Sequence, residues 1–174
     1  MRHLLASLVV LFVGAGFAAA SDVEVKGPHI CCGQCVKVVG KILEKVDGVS
    51  DVRADSKTKT VTYKAKDSKA AKAGFDALRA GGFFGKATED GKEIKLNEAY
   101  TKDAANKVDS VTVTNVHACC GMCHTAIKNL FKGSTVTIDG TGPQRTITIQ
   151  GANLTQMSVL EALRKEGFNG GFGK

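Results

Sequence analysis

The sequence predicts an α+β protein of two tandem βαββαβ units that follow a cleaved amino-terminal leader. Three observations carry this reading. A cysteine heptad, HICCGQC (His29 to Cys35), returns as HACCGMC (His117 to Cys123), and the two heptads hold all six cysteines of the chain. Near the end of each half, ALRAGGFFG (Ala77 to Gly85) answers ALRKEGFNG (Ala162 to Gly170). Between these landmarks both halves run through the same alternation of period-two and helical-period apolar residues, the mark of an internal repeat.

The elements follow in order. Met1-Arg2-His3 is a short basic start, Leu4 to Phe17 is apolar, and Ala18-Ala19-Ala20 supplies small residues before Ser21. Residues 1–20 therefore read as a secretory signal peptide cleaved after Ala20. The apolar run is short for a bilayer span and ends in small residues, not charges. The mature chain is expected to be secreted or periplasmic, with no stable membrane insertion after cleavage.

The first unit, residues 21–96, opens with the alternating VEVK (Val23 to Lys26). The heptad follows, and then Cys35, Val39, Ile42, Leu43 and Val46 recur at helical spacing. VSDVRA (Val49 to Ala54) and TVTYKAK (Thr60 to Lys66) read as strands joined by the turn DSKTK. A second helix is expected to be capped near Asp67-Ser68. Gly82-Phe83 closes the unit before a short last strand, and Asp90-Gly91 marks a hairpin between FFGKAT and KEIKL. Residues 97–107 (NEAYTKDAANK) are polar and without period, and read as a charged linker.

The second unit, residues 108–174, repeats the plan. VTVTNV (Val111 to Val116) precedes the heptad, and Cys123, Ala126, Ile127 and Leu130 carry the helical spacing. TVTID (Thr135 to Asp139) and RTITIQ (Arg145 to Gln150) flank the turn GTGPQ, a helix is capped near Thr155, and Gly167-Phe168 closes the unit before a short last strand. This order is the ferredoxin-like arrangement, with two helices on one face of an antiparallel sheet. At about seventy residues each, the units stand near the lower limit for a self-sufficient core.

Composition narrows the function. The chain carries a formal charge of +7, has no Trp and only two Tyr. Its lysines are dispersed and no base-stacking platform accompanies them, so nucleic acid is not expected as a partner. The basicity reads as a solvated face. No Ser-His-Asp arrangement, phosphate-cradling glycine loop or carboxylate pair is evident, so no enzyme is expected.

The cysteines carry the chemistry. A disulfide scaffold in an exported protein spreads its cysteines to close loops, whereas here they crowd into two clusters of three. Each heptad lies after a strand, and its last cysteine enters the first turn of a helix. Free amides and the helix dipole there favour thiolate, the form that binds metal. Cys32 with Cys35, and Cys120 with Cys123, have the C-x-x-C spacing that brings two sulfurs onto one ion, and Gly33 and Gly121 keep the loop uncrowded. Soft thiolates prefer Cu(I), Hg(II), or Zn(II) with further ligands. Cys31, Cys119, His29 and His117 are the further candidate ligands, since Cys3His is a zinc set. The alternatives are buried small side chains for the third cysteines and exposed loop residues for the histidines. Met122 reads as a loop or packing residue because its counterpart is Gln34. Phe83 and Phe168 read as core beneath the cysteine loops.

Each half resembles the heavy-metal-associated domain, whose pattern is G-M-x-C-x-x-C in a βαββαβ fold with a Gly-aromatic pair before the last strand. Cys32, Cys35, Cys120 and Cys123 match the ligand cysteines of that family, and Gly82-Phe83 and Gly167-Phe168 match its closing pair. Val46-Asp47-Gly48-Val49 matches the junction of first helix and second strand. The chain departs where the family has Gly-Met: His29-Ile30 and His117-Ala118 stand there, with Cys31 and Cys119 before the first ligand. Ile30 and Ala118 can still plug the core.

The resemblance implies a soft-metal carrier, buffer or scavenger, with Cu(I) ahead of Zn(II) and Hg(II), working through thiolate ligand exchange at two H-x-C-C-G-x-C loops and handing its ion to a metal-transfer partner protein. Two readings compete. CGQC and CGMC also look like the C-G-x-C of thiol-disulfide redox proteins, although neither half has a Trp before the motif or a Pro placed to face it. The third reading is a structural or interaction module locked by disulfides, which an interdomain disulfide would favour.

Overall fold

The computed structural model describes residues 20–96 and 103–173. The expected leader, apart from Ala20, and residues 97–102 of the expected linker lie outside the described residues. Among the described residues no helix is long and apolar enough to cross a membrane.

The first unit comprises β1 (Ser21–Lys26), α1 (Gly33–Leu43), β2 (Val49–Asp55), β3 (Thr60–Ala65), α2 (Ser68–Ala80), β4 (Lys86–Glu89) and β5 (Lys92–Glu93). The second comprises β6 (Val108–His117), α3 (Gly121–Leu130), β7 (Thr135–Asp139), β8 (Gln144–Leu154) and α4 (Gln156–Lys165). The sheets run β2-β3-β1-β4-β5 and β6-β8-β7, antiparallel throughout. These are two tandem α+β domains of ferredoxin-like topology.

Alternation and helical period explain the cores. Val23 and Val25 of β1, and Val61, Tyr63 and Ala65 of β3, are buried against Cys35, Val39 and Leu43 of α1 and Phe75 and Leu78 of α2. The Tyr63 hydroxyl donates to the Ala71 carbonyl at 2.6 Å, which satisfies its one polar atom. In the second unit Val111, Val113, Ile147 and Ile149 face Ile127, Val159 and Leu163. Side-chain caps start α2 and α4: Asp67 accepts from the Ala70 N–H, and Thr155 and Ser158 form a capping box. Neither α1 nor α3 has a side-chain cap; cysteines, Cys32 and Cys120, occupy those two positions.

The first strands end alike. Gly27 (φ 93°) and its counterpart Asn115 (φ 58°) both take left-handed backbone two residues before the heptad histidine. In β6 this coincides with a register shift between Val113 and Val116, a bulge that re-aims the residues after it. The last strands differ. The first unit has β4, extended by β5 through the turn at Asp90-Gly91, as expected. The expected last strand of the second unit is only an isolated bridge, Thr114 to Gly171, with N–H to carbonyl bonds of 2.7 and 2.9 Å. Gly170-Gly171 brings no side chain to the sheet and loses the most backbone entropy on ordering. Gly170 is nonetheless required, since a Cβ there would come within 2.4 Å of Val113.

The units dock through their Gly-Phe closures. Phe83 and Phe168 form an antiparallel bridge, flanked by Phe84 N–H to Gly167 O at 2.9 Å and Asn169 N–H to Gly82 O at 2.8 Å. The His29 N–H also donates to Gly167 O at 2.9 Å. A Cβ on Gly82 would lie 2.2 Å from the His117 nitrogen, and one on Gly167 would lie 2.2 Å from the Gly27 oxygen. Each closing glycine thus presses on the backbone of the other unit, at φ values of 90° and 82°.

Substituting Gly82→Ala together with Gly167→Ala is expected to undock the units while leaving each fold in place. Beyond the steric overlap, each Ala carries a positive-φ penalty of roughly 1 kcal/mol. Small-angle scattering should show a larger radius of gyration with unchanged far-ultraviolet circular dichroism; a variant as compact as the parent would contradict the docking role.

Candidate metal centre

Each heptad is placed by the strand before it and the helix after it. Cys32 and Cys120 are the N-cap residues of α1 and α3, with extended backbone (φ −159°, ψ 172° and φ −151°, ψ 171°). Cys35 and Cys123 enter the first turns and are fully buried, while Cys31, Cys32, Cys119 and Cys120 are half-buried. Ile30 and Ala118 are also fully buried and plug the cores. Gly33 and Gly121 do not relieve crowding as expected: a Cβ at either would meet nothing within 4 Å, because both face open space at the start of their helices.

Docking brings the two loops together. All six cysteines are free thiols, and their sulfurs approach both within and between loops. Within the loops, Cys31 and Cys35 are 3.6 Å apart, Cys32 and Cys35 3.9 Å, and Cys120 and Cys123 3.8 Å. Between them, Cys31 lies 3.5 Å from Cys123 and 3.7 Å from Cys120, and Cys35 lies 3.7 Å from Cys119. Metal–thiolate bonds of about 2.3 Å in a tetrahedron give sulfur separations of about 3.8 Å, so this spacing fits sulfurs sharing a soft ion.

The histidines are not exposed. His117 is fully buried and His29 is 8% exposed. Each stacks on the closing phenylalanine of the other unit: His29 on Phe168 at 4.0 Å between centroids, His117 on Phe83 at 4.3 Å. Phe83 and Phe168 are core residues, as expected, but each underlies the opposite loop. No ring nitrogen of either histidine has a hydrogen-bond partner, although all four are buried. An orphaned buried polar atom costs about 1–3 kcal/mol, which a metal bond would remove. Ligand atoms of Cys35, His117, Cys119 and Cys123 lie within 4.8 Å of one another, as do those of His29, Cys31 and Cys123. The histidine-containing sets therefore draw on both loops. Cys31, Cys32 and Cys35 form a further set, as do Cys32, Cys119 and Cys120. Met122 is 55% exposed.

The electrostatics favour a shared thiolate. The neighbouring Cys123 thiol holds Cys35 far below the usual thiol range, against burial. Cys123 is pushed up in turn by the nearby Cys35 and by burial. Burial pushes Cys31 up to about 12 and raises Cys119 as well. Burial opposes ionisation of Cys120 too, but the Cys123 N–H, the Cys31 thiol and the Met122 N–H outweigh it and hold Cys120 at about 7. Burial also lowers His29, against the attraction of Cys35, so its ring favours the neutral form that can bind metal.

Sequence reasoning singled out all eight cysteine and histidine positions but treated the loops as separate. It missed Gly82 and Gly167 as the contacts that join them. The signal was present, since the Gly-Phe closures survived duplication together with the histidines they touch.

Residues 28–79 match the family model for the heavy-metal-associated domain. The second unit repeats the topology and motif of the first but is not covered by that match. No curated protein matches the chain.

His117→Phe is expected to keep the stack on Phe83 while removing two orphaned nitrogens. Thermal denaturation of the apoprotein should show stability unchanged or raised by about 1 kcal/mol. Competition with a chromogenic chelator should show soft-metal affinity lowered by about tenfold or more. Unchanged affinity would make His117 a packing residue only.

Proposed function

We propose that this chain is an extracytoplasmic soft-metal binding protein, acting as carrier, buffer or scavenger. Its cargo is Cu(I) first, with Hg(II) or Zn(II) as the alternatives, and it passes that cargo to a metal-transfer partner protein. The observation that carries the reading is the convergence of six free thiols at 3.5–3.9 Å with two buried, unpartnered histidines. The heavy-metal-associated match over residues 28–79 supports it, and so does the leader-like segment 1–20.

Ligand exchange follows from the burial pattern. The half-buried Cys31, Cys32, Cys119 and Cys120 meet an arriving ion first, each displacing one of its ligands and losing a proton to solvent. The fully buried Cys35 and Cys123 then hold the ion from beneath. Release runs in reverse, as an incoming thiolate replaces the outer sulfurs one at a time. Neutral histidine and soft sulfur together favour monovalent copper over hard cations.

A redox reading rests on the C-x-x-C pairs, whose sulfurs at 3.8 and 3.9 Å are close enough to be oxidised to a disulfide after a small rotation. The deciding experiment uses the mature chain, reduced and anaerobic, titrated with Cu(I), Zn(II) and Hg(II) against competing chelators. Tight uptake of a soft ion that is abolished when Cys32, Cys35, Cys120 and Cys123 are all replaced by Ser is the expected result. Reduced protein that takes up none of the three, while its cysteine pairs cycle with a dithiol, would replace this reading with the redox one.

A further inference from the structure

The six sulfurs have a definite connectivity. Combining the direct approaches with the sets that lie within 4.8 Å, every cysteine sulfur has four sulfur neighbours. The pairs left over are Cys31 with Cys119, Cys32 with Cys123, and Cys35 with Cys120, each taking one cysteine from each unit. Six points so connected are the corners of an octahedron, with those three pairs at opposite corners.

An octahedron has two sets of four alternate triangular faces. One such set is Cys31-Cys32-Cys35, Cys32-Cys119-Cys120, Cys35-Cys119-Cys123 and Cys31-Cys120-Cys123. The first three are close-set groups, the third with His117 beside it. The fourth has edges of 3.5, 3.7 and 3.8 Å. An ion bound to three thiolates at about 2.3 Å, in their plane, needs edges of about 4.0 Å, and shorter edges as it rises from that plane. Three-coordinate sulfur sites suit a soft monovalent d10 ion, whereas zinc calls for a fourth ligand on every face.

Resting on the soft-metal reading above, we propose that the docked units hold a polynuclear Cu(I)–thiolate cage instead of two separate ions. One ion sits on each alternate face and every cysteine bridges two ions. The charges balance well: six thiolates release six protons to solvent, and four monovalent ions leave the cage with two negative charges. Those charges lie at the converging starts of α1 and α3, whose amides no side chain caps. The third cysteine of each heptad then has a role that a C-x-x-C ion does not require, since Cys31 and Cys119 are opposite corners of the cage. Docking becomes part of metal binding, because three of the four faces take sulfurs from both loops.

The test titrates the reduced mature chain with Cu(I), delivered anaerobically as its acetonitrile complex, and reads each step by native mass spectrometry and X-ray absorption. The expected result is an apoprotein peak giving way to a species with about four coppers and few intermediates, with three-coordinate sulfur and a copper–copper distance in the absorption data. Cys31→Ser with Cys119→Ser, which leaves both C-x-x-C pairs, should drop the stoichiometry to two or fewer and abolish the copper–copper signal. Stepwise filling that saturates at two ions, unchanged in that double variant, overturns the cage and leaves the soft-metal function standing. No copper uptake by the parent chain overturns both.

Discussion

The reciprocal fit of each Gly-Phe closure against the histidine loop of the other unit is the contact on which the rest depends. Gly82 and Gly167 have no side chain to spare, since a Cβ on either would sit 2.2 Å from backbone atoms of the opposite loop. That close approach stacks Phe83 on His117 and Phe168 on His29, and it fixes the distance between the two helix starts. The sulfurs meet because the backbones do. A side chain at either glycine would separate the thiols without touching one of them.

The polar cost of this arrangement falls on the metal-free protein. Four buried imidazole nitrogens have no partner, and six sulfurs crowd where thiols can offer one another only weak hydrogen bonds. Helix capping tells the same story. The two helices remote from the cysteines begin with Asp67 and Thr155, which bond back to the first turn, whereas α1 and α3 begin with cysteine and have no side-chain cap of that kind. Local stability is given up at the positions where an anion would repay it.

Much of this was legible in the sequence. The repeated heptad, the alternating Val23-Val25 and Val111-Val113, and the caps at Asp67 and Thr155 led to the right elements in the right order. Strand ends were less so: β6 begins at Val108, ahead of the alternation that announces it, and the last strand of the second unit shrinks to one bridge at Gly171. The eight ligand candidates were readable from residue type and spacing. Their assembly was not, because nothing in the pattern of one unit says which of its faces is unfinished. His29 and His117 looked like loop residues for the same reason: what buries them is contributed by the other half.

The docking is also lopsided at one point. Where the first closure has Phe84, the second has Asn169, which is buried, gives its amide N–H to the Arg79 carbonyl at 2.9 Å and accepts from the Arg164 guanidinium at 3.0 Å. Arg164 also lies over the Phe84 ring at 4.7 Å. Two copies of the first unit would bring Phe84 to a place that wants an amide, and two copies of the second would bury an extra amide facing no ring. Divergence at this one position makes the two sides of the docked pair chemically different, an amide network on one and a ring under a guanidinium on the other.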